Sequence, residues 1–259
     1  MSAAHKVIAV LPAYNAARTL AQTVADIPRD MVDDLLLVDD ASTDGTPEIA
    51  RRLGLKTIVH PENRGYGGNQ KTCYREALRL GADVVVMVHP DHQYDPHHVP
   101  QLVMPILAGV ADAVFGSRMV WPGSAIAGGM PRWKYLGNIA LTWLENRCLG
   151  LNLTEYHSGF RAYSRQVLET VAFELNSDGF VFDTEIIVQL KHHNFRIREI
   201  PIPTRYFKDA SSVGFGGSLR YGLDILRTMA RYWMFRLGWS HAPQFARAAA
   251  PPTLRPPAP

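Results

Sequence analysis

Five short apolar segments in the first 116 residues alternate with helical patterns, and this alternation limits the possible folds more than any other feature. The apolar segments lie at 7–11, 35–38, 57–59, 84–88 and 113–115. The helical patterns lie at 17–27, 47–53, 69–80 and 97–107. Apolar strands that alternate with helices predict a parallel sheet covered on both faces. We therefore predict an α/β, Rossmann-like fold with a mostly parallel central sheet and helices on both faces.

Each of these predicted strands is followed by a polar, charged or glycine-rich group. The groups occupy residues 12–15, 39–46, 60–68, 89–93 and 116–118. In open parallel sheets, ligands bind outside the carboxyl ends of the strands. Any one group is compatible with an ordinary turn, but five at one edge indicate a binding site. Within the second group, Thr46 followed by Pro47 predicts a helix start with a capping hydroxyl.

Beyond residue 116 the pattern changes. Residues 121–131 are rich in Gly and Pro and are expected to form a mobile loop. We predict helices at 133–149 and 182–192, a strand at 160–163 and an extended segment at 196–207. The predicted organisation is a catalytic domain at 1–215, an amphipathic helix within 216–240, and a disordered Pro- and Ala-rich tail at 241–259.

The C-terminal amphipathic pattern, at 219–237, has two interpretations. Its polar face carries Arg220, Asp224, Arg227 and Arg231, and its apolar face carries Leu223, Leu226, Met229, Ala230, Trp233 and Leu237. Such a helix lies on an anionic membrane surface in some proteins. A helix that packs on its own core has the same pattern, so both interpretations stay open.

Composition limits the class of partner and the compartment. A net charge of +3 gives no indication of nucleic-acid binding, although a basic excess favours anionic ligands. The two cysteines show no paired spacing. The chain passes from its first residues directly into an apolar strand, and no segment reaches the roughly 18 apolar residues of a membrane span. We expect a cytoplasmic protein, at most peripheral at the cytoplasmic face of a membrane.

Four motifs, VIAVLPAYNAARTL, LLLVDDASTDGT, NRGYGG and SGFRAYSR, occur in this order. Together they resemble glycosyltransferase family 2, whose members have the GT-A fold, over residues 6–210. Within that family the likeness is to dolichyl- or polyprenyl-phosphate mannose and glucose synthases. The resemblance implies an inverting transferase that moves a hexose from a GDP- or UDP-sugar to a polyprenyl phosphate with Mg²⁺ or Mn²⁺.

The resemblance also implies which residues hold the donor. Residues of the first two strand ends are expected to bind the nucleotide: Pro12, Ala13, Tyr14, Asn15, Asp39 and Asp40. An alternative for either aspartate is a cap on the helix near Thr46. Gly65, with Gly67 and Gly68, permits close approach of the backbone to a ligand, and Arg64 adds positive charge. This G-x-G spacing does not follow the first strand, which argues against a dinucleotide-binding enzyme.

The fourth strand end carries the predicted metal site. The family places Asp-x-Asp there, whereas this chain has His89, Asp91 and then Gln93. Asp91 and Gln93 suit Mg²⁺ together with phosphate oxygens and water. If His89 also coordinates, its nitrogen shifts the preference toward Mn²⁺. Zinc is disfavoured because no thiol partners accompany the nearby histidines.

The remaining candidates concern transfer itself. By resemblance, Arg118 and Arg132 grip the acceptor phosphate, while Arg205 and Lys208 close over the donor diphosphate. Asp183 and Glu185 are candidate catalytic carboxylates, with helix N-terminal charge as the alternative. Glu155 stands near the place of an Asp that the family has before Ser-Gly, and Arg161 is expected to anchor a loop.

Three functions remain open at this point. The first is transfer to a polyprenyl phosphate, which needs no general base because the phosphate is already ionised. The second is transfer to a hydroxyl of a glycan or small molecule, which requires a base such as Asp183 or Glu185. The third is a catalytically silent protein that binds nucleotide sugars, suggested by His89 in place of Asp.

Overall fold

The computed structural model describes residues 5–203 and 215–245, and a seven-stranded sheet runs through the described part. In chain order the strands are β1 Val7–Ala13, β2 Asp34–Asp39, β3 Lys56–Val59, β4 Val84–Met87, β5 Ala113–Ser117, β6 Arg161–Ser164 and β7 Ile197–Pro201. The five strands predicted in the first 116 residues are all present, each with ends displaced by no more than two residues.

The strand order is β3-β2-β1-β4-β6-β5-β7. The pairs β1–β2, β1–β4, β2–β3 and β5–β7 are parallel. The exception is β6, which is antiparallel to both of its neighbours, β4 and β5. The prediction of a mostly parallel central sheet is therefore confirmed.

Helices cover both faces of the sheet, as predicted. They are α1 Leu20–Asp26, α2 Thr46–Arg52, α3 Gly65–Arg79, α4 Val99–Leu107, α5 Ser124–Ala127, α6 Arg132–Leu149, α7 Arg165–Thr170, α8 Phe182–His192 and α9 Phe215–Arg236. Successive residues of β1 point into two different cores. Ile8 and Val10 pack in the core under α3 and α8, whereas Ala9 and Leu11 pack in the core under α1 and α4.

Several element boundaries differ from the prediction for local reasons. The residue that precedes α2 is Gly45, with a left-handed φ of 80°, so Thr46 is a helical residue and does not cap the helix. Its hydroxyl donates to Asp44 Oδ1 at 2.6 Å instead. The loop predicted at 121–131 contains the short helix α5. Only 197–201 of the predicted extended segment is a strand, and 204–207 lie outside the described residues.

The C-terminal helix packs on the core along one side only. Ile225, Met229 and Tyr232 of α9 are buried, while Leu223 and Trp233 are exposed. Within the described residues, no helix is both long and apolar enough to cross a bilayer.

The predicted disordered tail is partly wrong, because its first residues are ordered. A short 3₁₀ turn at Pro243–Phe245 follows α9, and Phe245 is fully buried. The rest of the predicted tail, 246–259, lies outside the described residues.

Candidate active site

A cleft of about 1130 Å³ opens at the carboxyl edge of the sheet. It is lined by these predicted site residues: Pro12, Ala13, Tyr14, Asn15, Asp40, Gly65, His89, Asp91, Gln93, Arg118 and Asp183. Residues that are far apart in the chain meet here because the strand ends share one edge. Arg205 and Lys208 lie outside the described residues, so their role stays a prediction.

The turns after β1 and β2 are tied together at one end of the cleft. Asn15, which has a left-handed φ of 52°, donates its backbone N–H to Ser42 Oγ at 2.8 Å. Its side-chain Oδ1 accepts from the backbone N–H of Thr43 at 2.9 Å. Tyr14 is exposed beside this junction and lines the cleft. The two hydrogen bonds hold the turns together, and the Tyr14 ring lies exposed beside them.

The two aspartates at the end of β2 have different roles. Asp40 accepts the backbone N–H groups of Arg64 and Gly65 at 2.8 and 2.9 Å, so it caps the start of α3. Neither aspartate caps the helix at Thr46. Asp39 is buried and does not line the cleft; its Oδ2 accepts the backbone N–H of Ser42 at 2.9 Å. Asp39 Oδ1 is buried with no hydrogen-bond partner among the described residues, and binding of the nucleotide by Asp39 stays a prediction.

The glycine-rich start of α3 closely approaches the protein's own backbone. Gly67 donates its N–H to the carbonyl of Asp178 at 2.7 Å. A Cβ on Gly67 would lie 2.3 Å from the carbonyl oxygen of Ser177. The Arg64 side chain is exposed and does not line the cleft. Gly67 therefore serves packing within the protein, whereas Gly65 lines the cleft and its approach to a ligand stays a prediction.

The Gly67→Ala variant is expected to lose about 1–3 kcal/mol of unfolding free energy, because the added methyl group collides with fixed backbone. The matched control is Gly222→Ala in α9, where a Cβ meets only Leu141, at 3.9 Å. That variant is expected to gain about 0.5–1 kcal/mol from helix propensity. Urea unfolding of both variants measures the difference, and equal effects would contradict this account of the close approach.

The predicted metal ligands lie together at the end of β4. Asp91 lines the cleft, and its Oδ1 accepts the backbone N–H of Gln93 at 3.1 Å. Gln93 Nε2 is buried with no hydrogen-bond partner among the described residues. Because amide oxygen and nitrogen exchange by a flip of the side chain, this position can present an oxygen instead. One carboxylate, one amide and phosphate oxygens fit Mg²⁺ or Mn²⁺, and no cluster of three His, Cys, Asp or Glu is found in the described chain.

The His89 ring belongs to an aromatic stack. It lies parallel to Tyr66, with centroids 5.8 Å apart and an interplanar angle of 5°. Tyr66 in turn stacks on Phe180 at 5.0 Å. His89 Nε2 is buried against Gly159, where a Cβ would lie 2.2 Å from it. His89 also lines the cleft, and its role as a metal ligand stays a prediction.

At the other end of the cleft, Arg118 follows β5 and is held by the buried Glu155. The guanidinium Nε donates to Glu155 Oε1 at 2.8 Å, and a terminal nitrogen pairs with the same oxygen. The backbone N–H of Arg118 donates to Glu155 Oε2 at 2.8 Å. Burial raises the pKa of Glu155, but the charge and hydrogen bonds of Arg118 outweigh it, so the pKa is lowered overall. Both groups are therefore charged at neutral pH.

Lys134, not Arg132, is the second cation of this end. Arg132 is exposed at the first residue of α6 and does not line the cleft. Two residues later, Lys134 lines it, and the pKa of Lys134 is lowered by burial and then by the positive charge of Arg118. The sequence alone could not distinguish the two residues because the helix phase was unknown, and a contact of Arg132 with the acceptor phosphate stays a prediction.

The structure separates the two candidate carboxylates of α8. Asp183 lines the cleft; its Oδ2 accepts the Tyr66 hydroxyl at 2.8 Å, and its Oδ1 accepts Gln70 Nε2 at 3.2 Å. Glu185 does not line the cleft. Its oxygens accept hydrogen bonds from the backbone N–H of Ser177 and from the guanidinium of Arg231. Glu185 thus ties α8 to α9 and lies outside the site.

Other contributing residues carried no sequence signal. The Asn138 side chain donates to Glu155 Oε1 at 2.8 Å. His157 lines the cleft, and its Nε2 lies 3.1 Å from Oε2 of the fully buried Glu145, an ion-pair distance. The predicted anchoring role of Arg161 is confirmed, since its guanidinium donates to the carbonyls of Ser158 and Asp183 at 2.6 and 3.0 Å.

This sheet, with its cleft at the carboxyl edge, defines the GT-A fold. A solved structure of glucosyl-3-phosphoglycerate synthase from Mycobacterium tuberculosis, in complex with Mn²⁺, UDP and phosphoglyceric acid, superposes with a TM-score of 0.67. It is 21% identical, and the match covers 93% of this chain and 81% of that one. At this identity the likeness shows the fold alone.

The family model described as "Glycosyl transferase family 2" matches residues 8–172, and the chain belongs to that family. It is 33% identical over 205 residues to the undecaprenyl-phosphate mannosyltransferase of Micrococcus luteus, covering 76% of this chain and 82% of the relative. It is 28% identical over 246 residues to the UDP-N-acetylglucosamine–dolichyl-phosphate N-acetylglucosaminyltransferase of Methanococcus voltae, covering 88% and 95%.

Proposed function

We propose that the protein transfers a hexose, with inversion, from a nucleoside-diphosphate sugar to a polyprenyl phosphate. The observation that carries the proposal is a single cleft with Asp91 at the end of β4 and a cationic end built from Arg118 and Lys134. The names of the two relatives, each acting on a lipid phosphate, support the same acceptor class.

The donor side of the reaction uses the β1, β2 and β4 ends. Pro12, Ala13 and Tyr14 line the cleft and are proposed to form the base pocket. Asp91 and Gln93 would hold Mg²⁺ or Mn²⁺, which would supply positive charge for the leaving diphosphate. Arg205 and Lys208 are proposed to close over the same diphosphate, as the family resemblance implies.

On the acceptor side, the reaction depends on positive charge near the phosphate and needs no general base. A phosphate monoester is already ionised near neutral pH, so its oxygen attacks without losing a proton. Arg118 and Lys134 attract that oxygen and hold it near the donor, which lowers the entropic part of the barrier. Asp183 is already engaged by the protein, since it accepts two hydrogen bonds and its Oδ1 lies 3.7 Å from Arg161.

The proposed acceptor also implies that the protein acts at a membrane surface. A polyprenyl chain resides in a bilayer, so we propose peripheral contact with the cytoplasmic face of a membrane through residues 219–237. The exposed apolar residues of α9, such as Leu223 and Trp233, support this contact.

The deciding experiment measures nucleoside-diphosphate release from GDP-mannose, UDP-glucose and UDP-N-acetylglucosamine with Mg²⁺ or Mn²⁺. Each donor is assayed with and without a polyprenyl phosphate. Release that depends on the lipid supports the proposal and identifies the donor. Lipid-independent release would favour a hydroxyl acceptor, and tight binding without release would favour a silent binding protein.

The Asp183→Asn variant is expected to lose less than about tenfold in kcat with the lipid phosphate, because the reaction needs no general base there. If the acceptor were a hydroxyl group, loss of the base would cost about 10²–10⁴-fold. Glu185→Gln is the matched control in the same helix turn, outside the cleft. If Asp183→Asn lost about 10²–10⁴-fold in kcat while Glu185→Gln was unaffected, the acceptor would not be a phosphate.

A further inference from the structure

All five tryptophans of the chain fall between residues 121 and 239, and all five are exposed. Their exposed fractions range from 43% for Trp133 to 78% for Trp239, with Trp121, Trp143 and Trp233 between them. Tryptophan is highly buried on average in soluble domains. It is enriched at membrane–water interfaces, where its ring contacts lipid and its N–H reaches water.

Helix α6 carries an exposed apolar stripe that the sequence analysis did not identify. Trp133, Leu136, Ile139 and Trp143 are exposed and recur at spacings of three, three and four, which places them on one face. Leu136 and Trp143 have exposed fractions of 65% and 64%. Exposed apolar residues on a soluble monomer are usually scattered singly. A contiguous apolar face of this kind therefore indicates an interaction surface.

Helix α9 carries a second exposed apolar stripe, and both stripes begin at the cleft. Trp133 of α6 and Leu219 of α9 are exposed, and both line the cleft. Along α9 the stripe continues through Leu223, Leu226, Trp233 and Leu237, all exposed. The helices also touch, since Leu141 lies 3.9 Å from where a Cβ of Gly222 would be. The cleft therefore opens between two apolar stripes.

The charge of these segments identifies the partner. Residues 121–149 and 215–239 together hold seven Lys and Arg and two Asp and Glu, whereas the rest of the chain holds 20 and 22. Of the two acids, Glu145 is buried and Asp224 pairs with Arg227 at 2.9 Å. A symmetric dimer would place this cationic surface against its own copy. An anionic bilayer supplies both the apolar layer and the opposite charge.

We propose that the stripes of α6 and α9 form one surface that lies in the headgroup region of an anionic bilayer, with the cleft mouth between them. This inference rests on the proposed function and extends it, because it adds α6 to the contact made by α9. The hydrocarbon chain of the acceptor leaves the cleft between the two helices and enters the bilayer there. The phosphate stays at the level of Arg118 and Lys134.

The test is sedimentation of the full chain with vesicles of phosphatidylcholine, with and without phosphatidylglycerol. The Leu136→Glu/Trp143→Glu double variant changes α6 only and does not touch the cleft lining. Its affinity for the mixed vesicles is expected to fall about 100-fold, because two side chains lose their contact with lipid. The control is Met104→Glu on α4, where the exposed fraction is 52% and binding is expected to be unchanged.

A second measurement separates this inference from the proposed function. Transfer to a short, water-soluble prenyl phosphate without vesicles is expected to be equal in the wild type and the double variant. Normal transfer with no vesicle binding by the wild type would overturn the surface and leave the function intact. Vesicle binding unchanged by the double variant would overturn the role of α6. A wild-type dimer that the double variant dissociates, with vesicle binding unchanged, would assign the surface to a second copy.

Discussion

The Asp91→Ala variant is expected to release nucleoside diphosphate at least about 1000-fold more slowly than the wild type with Mg²⁺ or Mn²⁺. Asp91 is the carboxylate at the end of β4 that lines the cleft, where the diphosphate and its cation are proposed to lie. A divalent cation supplies several kcal/mol of stabilisation to the charge that develops on a leaving phosphate. Without the carboxylate, the cation loses the only acidic side chain among residues 89–93.

A binding measurement makes the interpretation independent of turnover. Calorimetry of UDP or GDP is expected to show that Mn²⁺ strengthens binding to the wild type but not to Asp91→Ala. The control is Asp95→Ala, whose carboxylate accepts the backbone N–H of His97 at 3.1 Å and does not line the cleft. That variant loses a helix cap worth about 0.5–2 kcal/mol but keeps metal-dependent binding. Full turnover by Asp91→Ala would show that the metal assignment is wrong.

The position of the site could be predicted from sequence because it depends on periodicity alone. Apolar strands that alternate with helices set a parallel sheet, and parallel strands bring their carboxyl ends to one edge. Arg118 and Tyr14 directly follow a strand and Asp91 lies in the turn after β4, so their place at the cleft followed from the strand assignment. The antiparallel insertion of β6 between β4 and β5 did not follow, because pairing partners depend on contacts distant in sequence.

The details of the site that could not be predicted depend on the rotation of each helix about its axis and on contacts between residues distant in the sequence. Lys134 and Arg132 differ by two residues, about half a helical turn, and only the packed helix shows which one faces the cleft. The NRGYGG glycines look like a ligand-binding turn, but the close contact of Gly67 is the carbonyl of Ser177, more than 100 residues away. The exposed stripe on α6 was missed because its residues read equally well as a core face.

The Arg118–Glu155 pair permits an experiment that separates stability from function. Arg118→Met is expected to lose about 3–5 kcal/mol of unfolding free energy, because Glu155 is left buried without its cation. Transfer to the lipid phosphate is expected to fall at least about 100-fold in kcat/KM, since the acceptor loses its main positive contact. Urea unfolding and the release assay measure the two effects on the same protein.

The Arg118→Met/Glu155→Gln double variant determines how much of that loss is structural. The amide introduced by Glu155→Gln is neutral, and its oxygen can still accept a hydrogen bond from Asn138 or from the backbone N–H of residue 118, which Glu155 accepts at 2.8 Å each. Removing both charges therefore restores most of the stability. Turnover with the lipid phosphate is expected to stay low, and the KM for the acceptor is expected to rise more than the KM for the donor. If turnover returns together with stability, Arg118 only holds the fold, and the acceptor phosphate must bind elsewhere in the cleft.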